Sequence, residues 1–218
     1  MEVPRFFVAV RFINMDLNRH RFTQEVLTEQ ESLISSLTSE ALLCASKSLQ
    51  QLVPQQFDLS APEALPVTIE DVSARFGVDD ADLVQVSQRC ESYYDASISR
   101  LRLLMLNSRA TRLIRKLLRE PNRAVEMTEL EQEALTETGN ILLNACLIRY
   151  MEHFSISGCP QLPQLTFRKF NMLFFARSPA LIDSISAAFS INFVIESDCL
   201  EMILLIEAGA DADDITLI

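Results

Sequence analysis

The sequence predicts an α+β fold in which two long helices pack on one shared β-sheet and the halves of the chain are related by a pseudo-symmetric duplication. Three observations predict this fold. Residues 29–33 recur at 131–135, a shift of 102 residues, and each copy opens a long run with helical periodicity. Each run ends in a proline-marked turn, at 62–66 and at 158–163. Strand-like segments follow each turn.

The starts of both long helices carry a capping signal. Thr28 and Glu31 form a Thr-x-x-Glu pattern in the first copy, and Thr128 and Glu131 repeat it in the second. In such a box the threonine hydroxyl and the glutamate carboxylate each accept a hydrogen bond from a backbone N–H that the helix leaves unpaired. We therefore predict that the helices begin beside these threonines.

The remaining elements of the first half read mainly as strands. Residues 67–76 and 83–90 alternate apolar with polar side chains, which predicts two half-buried strands. Residues 98–106 are more continuously apolar and predict a third. A basic helix at 108–120 completes this half.

The second half repeats this plan with one difference. Residues 165–175 are predicted to be extended at least in part, 178–189 to form a short helix, and 191–195 and 200–206 to form two strands. No basic helix follows them.

The simplest domain organisation is a single domain over residues 26–218, with halves at 26–120 and 127–218. Residues 1–25 form an N-terminal lead-in, in which residues 6–12 are a candidate for an extra edge strand.

Composition limits the kind of protein. With 49% apolar and 22% charged residues, the chain is typical of a folded soluble domain, and no apolar run reaches the roughly 18–20 residues that span a bilayer. We expect a cytoplasmic protein without a signal peptide or membrane contact. The five cysteines form no CxxC pair, so we expect reduced thiols. The net charge of −11 argues against a nucleic-acid partner.

One segment departs from the acidic average. The predicted basic helix concentrates six cations: Arg109, Arg112, Arg115, Lys116, Arg119 and Arg123. A solvated helix face is the favoured interpretation, and docking of an acidic partner is the alternative. Binding of nucleic acid by this helix is a weaker interpretation, because the rest of the chain is acidic.

Chemistry is most strongly indicated in the second long helix. Four polar residues recur at i, i+4, i+7 and i+11 and so share one face: Glu133, Glu137, Asn140 and Asn144. Such a row can orient water or grip a cation, although a merely solvated face is the alternative. Gly139 costs about 1 kcal/mol inside a helix, which indicates close approach of the backbone to a neighbour or partner.

Residues 134–142, with Glu137-x-x-Asn140 followed after 22 intervening residues by Pro163, resemble the signature of the CheC, CheX and FliY phosphatases of bacterial chemotaxis. The CheC branch is similarly built from two tandem halves. Glu133 departs from the pattern, because the family usually has Ser or Asp there. In the first half the polar row is lost, since the duplication places Ser35, Thr38 and Leu42 opposite Glu137, Asn140 and Asn144.

The resemblance implies a phosphatase that hydrolyses the aspartyl phosphate of a CheY-like receiver domain. In the family's scheme Asn140 orients the attacking water and Glu137 pairs with a receiver lysine. Glu133, Gly139, Asn144 and Pro163 are then supporting or partner-contact residues. A carboxamide suits this task, because it can donate to and accept from one water. The Mg²⁺ belongs to the receiver, so no metal or cofactor is expected in this chain.

A catalytically silent binding module is the alternative function. Such a relative, comparable to the middle domain of flagellar switch proteins, would bind a receiver or an adaptation protein without hydrolysis. A CheD-like protein is a further candidate partner. Because the duplication supplies within one chain what dimerisation would supply, we expect a monomer.

Overall fold

The computed structural model describes residues 24–52, 64–76, 80–92, 98–119, 126–174, 185–195 and 198–208. In these ranges five helices and seven strands follow one another. They are α1 (Gln24–Leu52), β1 (Ala64–Pro66), α2 (Ile69–Phe76), β2 (Asp82–Ser92), β3 (Ile98–Leu106), α3 (Asn107–Leu118), α4 (Glu129–Phe154), β4 (Gly158–Pro160), β5 (Gln164–Lys169), α5 (Phe170–Phe174), β6 (Ile185–Ile195) and β7 (Asp198–Ala208).

The strands of the described chain form one antiparallel sheet in the order β1-β6-β7-β3-β2-β4, and β5 pairs with β2 beside β4. The halves interleave. Strand β1 of the first half pairs with β6 of the second, β5 of the second pairs with β2 of the first, and β3 meets β7 at the centre. Exchanging the halves reproduces the same order, so the predicted pseudo-symmetric α+β fold is confirmed.

Helices α1 and α4 lie side by side on one face of the sheet, and α3 packs beside them. Their buried apolar side chains form one core with the strand residues that point to this face. The contributions of β2 and β3 alternate along the strand, as the period of two requires: Val84, Val86 and Cys90, then Leu101, Leu103 and Met105. The opposite face carries a smaller core, to which α2 and α5 contribute Val72, Phe76, Phe170 and Leu173.

Residues 67–76 differ from the predicted strand, because residues 69–76 form α2. Thr68 and Asp71 form a reciprocal cap, in which the Asp71 backbone N–H donates to Thr68 Oγ1 at 3.1 Å and the Thr68 N–H donates to Asp71 Oδ2 at 2.9 Å. Val72 and Phe76, one turn apart, are both buried. The cap and the i, i+4 spacing therefore outweigh the apparent alternation.

Residues 178–189 also differ from the prediction. Residues 185–189 belong to β6, where Ala188 pairs with Leu205 and Phe189 with Leu204 of β7. Residues 178–184 lie outside the described ranges. Pairing with a central strand has overridden the helix preference of this alanine-containing segment.

Two further predictions are corrected in detail. Helix α1 begins at Gln24, so Thr28 lies inside the helix and is not its N-cap. Residues 165–175 are extended only to Lys169, where β5 ends and α5 begins. The two proline-marked turns contain the short strands β1 and β4.

Most of the lead-in, including the candidate strand at 6–12, lies outside the described residues, as do 120–125 and 209–218. The domain limits stay predictions. None of the described helices has the length and apolar content needed to cross a membrane.

The start of α4 is tied to α3 by a buried ion pair. Thr128 and Glu131 form the predicted capping box, in which the Thr128 N–H donates to Glu131 Oε2 at 2.6 Å. Arg115 Nε donates to Glu131 Oε1 at 2.6 Å. This hydrogen bond, together with the cap, holds the pKa of Glu131 below its ordinary value.

We expect Glu131→Gln to destabilise the protein by about 1–3 kcal/mol near neutral pH, because it weakens a cap and a charge-assisted hydrogen bond. Since the folded-state pKa lies below the unfolded value, this stabilisation is complete above the unfolded pKa and is lost as the pH falls through the folded pKa. Urea unfolding of both proteins from about pH 7 to about pH 3 measures it. A stability difference that does not shrink in acid would contradict the assignment.

Several cations of the basic helix α3 interact with groups of the same chain. Arg115 is buried against Glu131, and Arg109 Nη1 lies 3.2 Å from Glu201 Oε2. Arg112 and Lys116 also have interaction partners. These contacts favour a structural helix face over a docking surface for an acidic partner.

Candidate active site

The polar row of α4 runs from open solvent into the seam between the helix and the sheet. Glu133 and Glu137 are exposed, whereas Asn140 and Asn144 are half-buried. The opposite side of the helix packs into the core through Leu135, Leu142 and Cys146. The row therefore lies along the edge of the helix, where its inner members can reach the sheet.

A network of side-chain amides joins the inner part of the row to β2. Gln88 of β2 donates through Nε2 to Asn144 Oδ1 at 3.0 Å and to Asn140 Oδ1 at 3.3 Å. Asn144 Nδ2 donates to Asn140 Oδ1 at 2.8 Å. Asn140 Nδ2 then donates to Glu137 Oε2 at 3.3 Å. The chain of donors is directed outward and ends on a carboxylate.

This network decides which atoms Asn140 can offer. Its Oδ1 accepts from Asn144 Nδ2 at 2.8 Å and more weakly, at 3.3 Å, from Gln88 Nε2, whose two hydrogens also serve Asn144 and Gln161. Its Nδ2 gives one hydrogen to Glu137 and keeps a second. Asn140 therefore directs a donor to the outer side, and the Glu137 carboxylate beside it can accept. The expectation that Asn140 both donates to and accepts from a water stays a prediction.

Sequence reasoning missed Gln88, although a signal was present. In β2 the alternation Val84, Val86, Gln88, Cys90 places Gln88 on the face that meets the long helices. A glutamine among the inward-facing apolar residues of a strand is expected to form hydrogen bonds with the elements that pack on that face.

Gly139 is buried where α4 crosses β2. A Cβ atom added there would lie 2.6 Å from Val86 Cγ1 and 2.8 Å from Val86 Cβ. The expectation of close backbone approach is therefore met by a strand of the same chain. The duplication places Leu37 of α1 at the corresponding position, so of the two long helices only α4 has glycine here.

We expect Gly139→Val to destabilise the protein by about 3 kcal/mol or more, because the new side chain forces α4 away from Val86. Gly139→Ala should lose less, since alanine regains about 1 kcal/mol of helix propensity. Thermal unfolding of both variants measures the effect. Val86→Ala removes the two methyl groups but keeps the Cβ atom 2.8 Å away, so in the double variant it should cost less than it does alone. Losses that simply add up would contradict the proposed clash.

A shallow groove of about 430 Å³ lies beside the exposed end of the row. It is lined by Glu129, Gln132, Glu133, Thr136 and Glu137 of α4 and by Leu165 of β5. Pro163 is half-buried in the connection between β4 and β5, two residues after Gln161, whose backbone carbonyl accepts from Gln88 Nε2 at 2.9 Å. The structure thus brings this connection to the site, although Glu133 reaches only the groove.

The corresponding face of α1 is built for packing. Thr38, opposite Asn140 in the duplication, is 0% exposed, and its Oγ1 lies 2.5 Å from the hydroxyl of Tyr150. Leu42 is buried, and Ser35 donates to the backbone carbonyl of Ala64 in β1 at 2.5 Å. The first half therefore offers no polar row like that of α4.

In the described part of the chain, no group of three or more His, Cys, Asp or Glu side chains is placed to hold a metal ion. Cys146 is buried in the core, and burial raises the pKa of its thiol to about 12.

No protein-family model matches this sequence, and no curated protein does so significantly. Solved structures do match its fold. FliY from Thermotoga maritima superimposes with a TM-score of 0.61 at 16% identity, over 86% of this chain and 92% of FliY. FliM from H. pylori, solved in complex with SpeE, gives 0.51 at 13% identity over 86% and 90% of the chains. FliM in complex with FliG gives 0.51 at 11% over 85% and 94%. The resemblance stated from the sequence is confirmed at the level of the fold.

Proposed function

We propose that this FliY-type fold carries a phosphatase that hydrolyses the aspartyl phosphate of a CheY-like receiver domain in the cytoplasm. One observation carries the proposal. Glu137 and Asn140 lie side by side on α4, and a half-buried amide network holds the Asn140 carboxamide with its nitrogen on the outer side. A solvated helix face does not need this internal support.

The geometry suits an in-line attack by water. In the proposed reaction the Asn140 Nδ2–H holds the oxygen of a water opposite the acyl-phosphate bond, while the water's hydrogens point toward acceptors. The water oxygen bonds to phosphorus as the phosphorus–oxygen bond to the aspartate breaks. Aspartate leaves as a carboxylate, and both hydrogens of the water end on the released phosphate. Since the transition state is loose, positioning supplies most of the rate.

Glu137 and its surroundings suit recognition of the receiver. One carboxylate oxygen accepts from Asn140, which leaves the second to pair with the receiver lysine that neighbours the phosphoaspartate. The adjoining groove adds the carboxylates of Glu129 and Glu133. A cation that enters this acidic groove is attracted before contact, which favours docking in one register. The receiver would bring its own Mg²⁺, and the phosphatase would act as a monomer.

A silent binding module is the second candidate, and the match to FliM favours it. FliM shares the fold at a TM-score above 0.5, and its structures were solved with FliG and with SpeE as partners. In that case the α4 surface would bind a receiver or a CheD-like adaptation protein without chemistry.

The deciding experiment follows the decay of a phosphorylated CheY-like receiver with and without this protein. Catalytic acceleration that disappears in Asn140→Ala supports the phosphatase. Measurable binding without acceleration, for every receiver of the organism, supports the binding module instead.

A further inference from the structure

We propose that Gln88 is a positioning residue that sets the orientation of the Asn140 carboxamide for hydrolysis. This inference rests on the proposed phosphatase function. Gln88 lies on β2 beneath α4, is 2% exposed, and reaches no solvent itself. It would act through Asn140, without contact to the phosphoryl group.

The orientation of Gln88 is set by the main chain. The backbone carbonyl of Gln161 can only accept a hydrogen bond, and Gln88 Nε2 donates to it at 2.9 Å. The Gln88 nitrogen therefore lies toward this carbonyl and toward the two asparagines. This nitrogen has two hydrogens, and one goes to Gln161. The other goes mainly to Asn144 Oδ1 at 3.0 Å and is shared with Asn140 Oδ1 at 3.3 Å, so Asn144 is turned with Oδ1 inward. Asn144 Nδ2 in turn donates to Asn140 Oδ1 at 2.8 Å, which turns that oxygen inward as well. Asn140 Nδ2 is left on the outer side.

The other half of the molecule shows that the fold does not need a polar residue here. Strands β2 and β6 are each eleven residues long, and Gln88 and Ile191 are both the seventh residue. Both side chains point to the face covered by the long helices, and Ile191 is fully buried. An apolar residue thus occupies the same position along β6, and α1, the long helix that corresponds to α4, lacks the polar row. Neither the glutamine nor the asparagine row is repeated in the other copy.

In the Gln88 side chain, only the amide nitrogen forms hydrogen bonds with the described residues. Its Oε1 is buried and has no partner among the described residues. A buried acceptor without a partner is destabilising, so a residue selected for stability alone would be apolar, as Ile191 is. We infer that Gln88 is kept, despite this loss of stability, because it orients the two asparagines.

The test compares Gln88→Met, an apolar residue of similar length, with the wild-type chain. We expect kcat to fall about 10-fold to 100-fold, because the Asn140 amide is free to turn. The affinity for a receiver carrying the phosphoryl mimic beryllofluoride should stay within about twofold, and the melting temperature within a few degrees. Gln164→Met makes the same change at an exposed position of β5 and is the matched control, with kcat unchanged.

A double mutant separates positioning from a general structural effect. If Gln88 acts through Asn140, Gln88→Met should reduce kcat by less than about twofold in an Asn140→Ala background. Full loss in that background as well, or equal losses of kcat and of receiver affinity in the single variant, would overturn the proposal.

Side-chain amide NMR signals of Asn140 and Asn144 supply a readout that does not depend on activity. They should shift in Gln88→Met and stay in place in Gln164→Met. If the wild-type chain accelerates no receiver's decay, the phosphatase assignment fails, and unshifted signals in Gln88→Met would independently overturn the placement of Gln88.

Discussion

Asn140→Ala should lower the phosphatase rate by about 10² or more, because it removes the donor that the amide network presents to a water beside Glu137. The fold should stay intact. Asn140 is half-buried, and its hydrogen bonds are made to other polar side chains of the seam, so we expect a stability loss of about 1 kcal/mol. Single-turnover decay of a phosphorylated receiver measures the rate, and thermal unfolding measures the stability.

Asn140→Asp is the matched control, because aspartate has nearly the same shape and no amide hydrogens. Its new oxygen would lie close to the Glu137 carboxylate, which currently accepts from Asn140 at 3.3 Å. If Asn140 works as a donor, the aspartate variant should be as slow as the alanine variant. An aspartate variant near the wild-type rate would show that an acceptor is needed there, and the proposed orientation would be wrong.

Glu207→Leu should destabilise the protein by about 3–5 kcal/mol, since it leaves buried guanidinium groups without their carboxylate. Glu207 is 1% exposed at the centre of the sheet, on the face away from the long helices. Arg102 forms a bidentate pair with it, in which Nε donates to Oε1 at 2.5 Å and Nη2 donates to Oε2 at 3.1 Å. Arg100 Nη1 lies 3.9 Å from Glu207 Oε2. Arginine cannot lose its proton to escape the burial.

Urea unfolding measures this loss, and two comparisons locate its cause. Arg102→Met combined with Glu207→Leu should recover part of the stability, because the main buried partner is removed together with the carboxylate. Glu201→Gln, on the same strand, should cost about 1 kcal/mol or less, since its pairs with Arg75 and Arg109 are partly exposed. Equal losses at both glutamates would contradict a burial effect.

The candidate site could be predicted from the sequence in part. The spacing of Glu133, Glu137 and Asn140 places them on one helix face whatever the helix packs against. Gln88 could not be added to them, because its distance in space from Asn140 depends on how β2 of the first half lies beneath α4 of the second. The same interleaving hides the pair of Arg102 and Glu207, which are 105 residues apart.

The sequence by itself determined the duplication, the second capping box and the central strands, because periodicity and capping act between residues a few positions apart. Where local signals competed, only tertiary structure decided the outcome. Residues 69–76 became a helix that seats Val72 and Phe76 on the second face of the sheet, and residues 185–189 became part of a strand paired with β7. The orientation of the Asn140 amide was likewise decided by a strand and a backbone carbonyl brought from elsewhere in the chain.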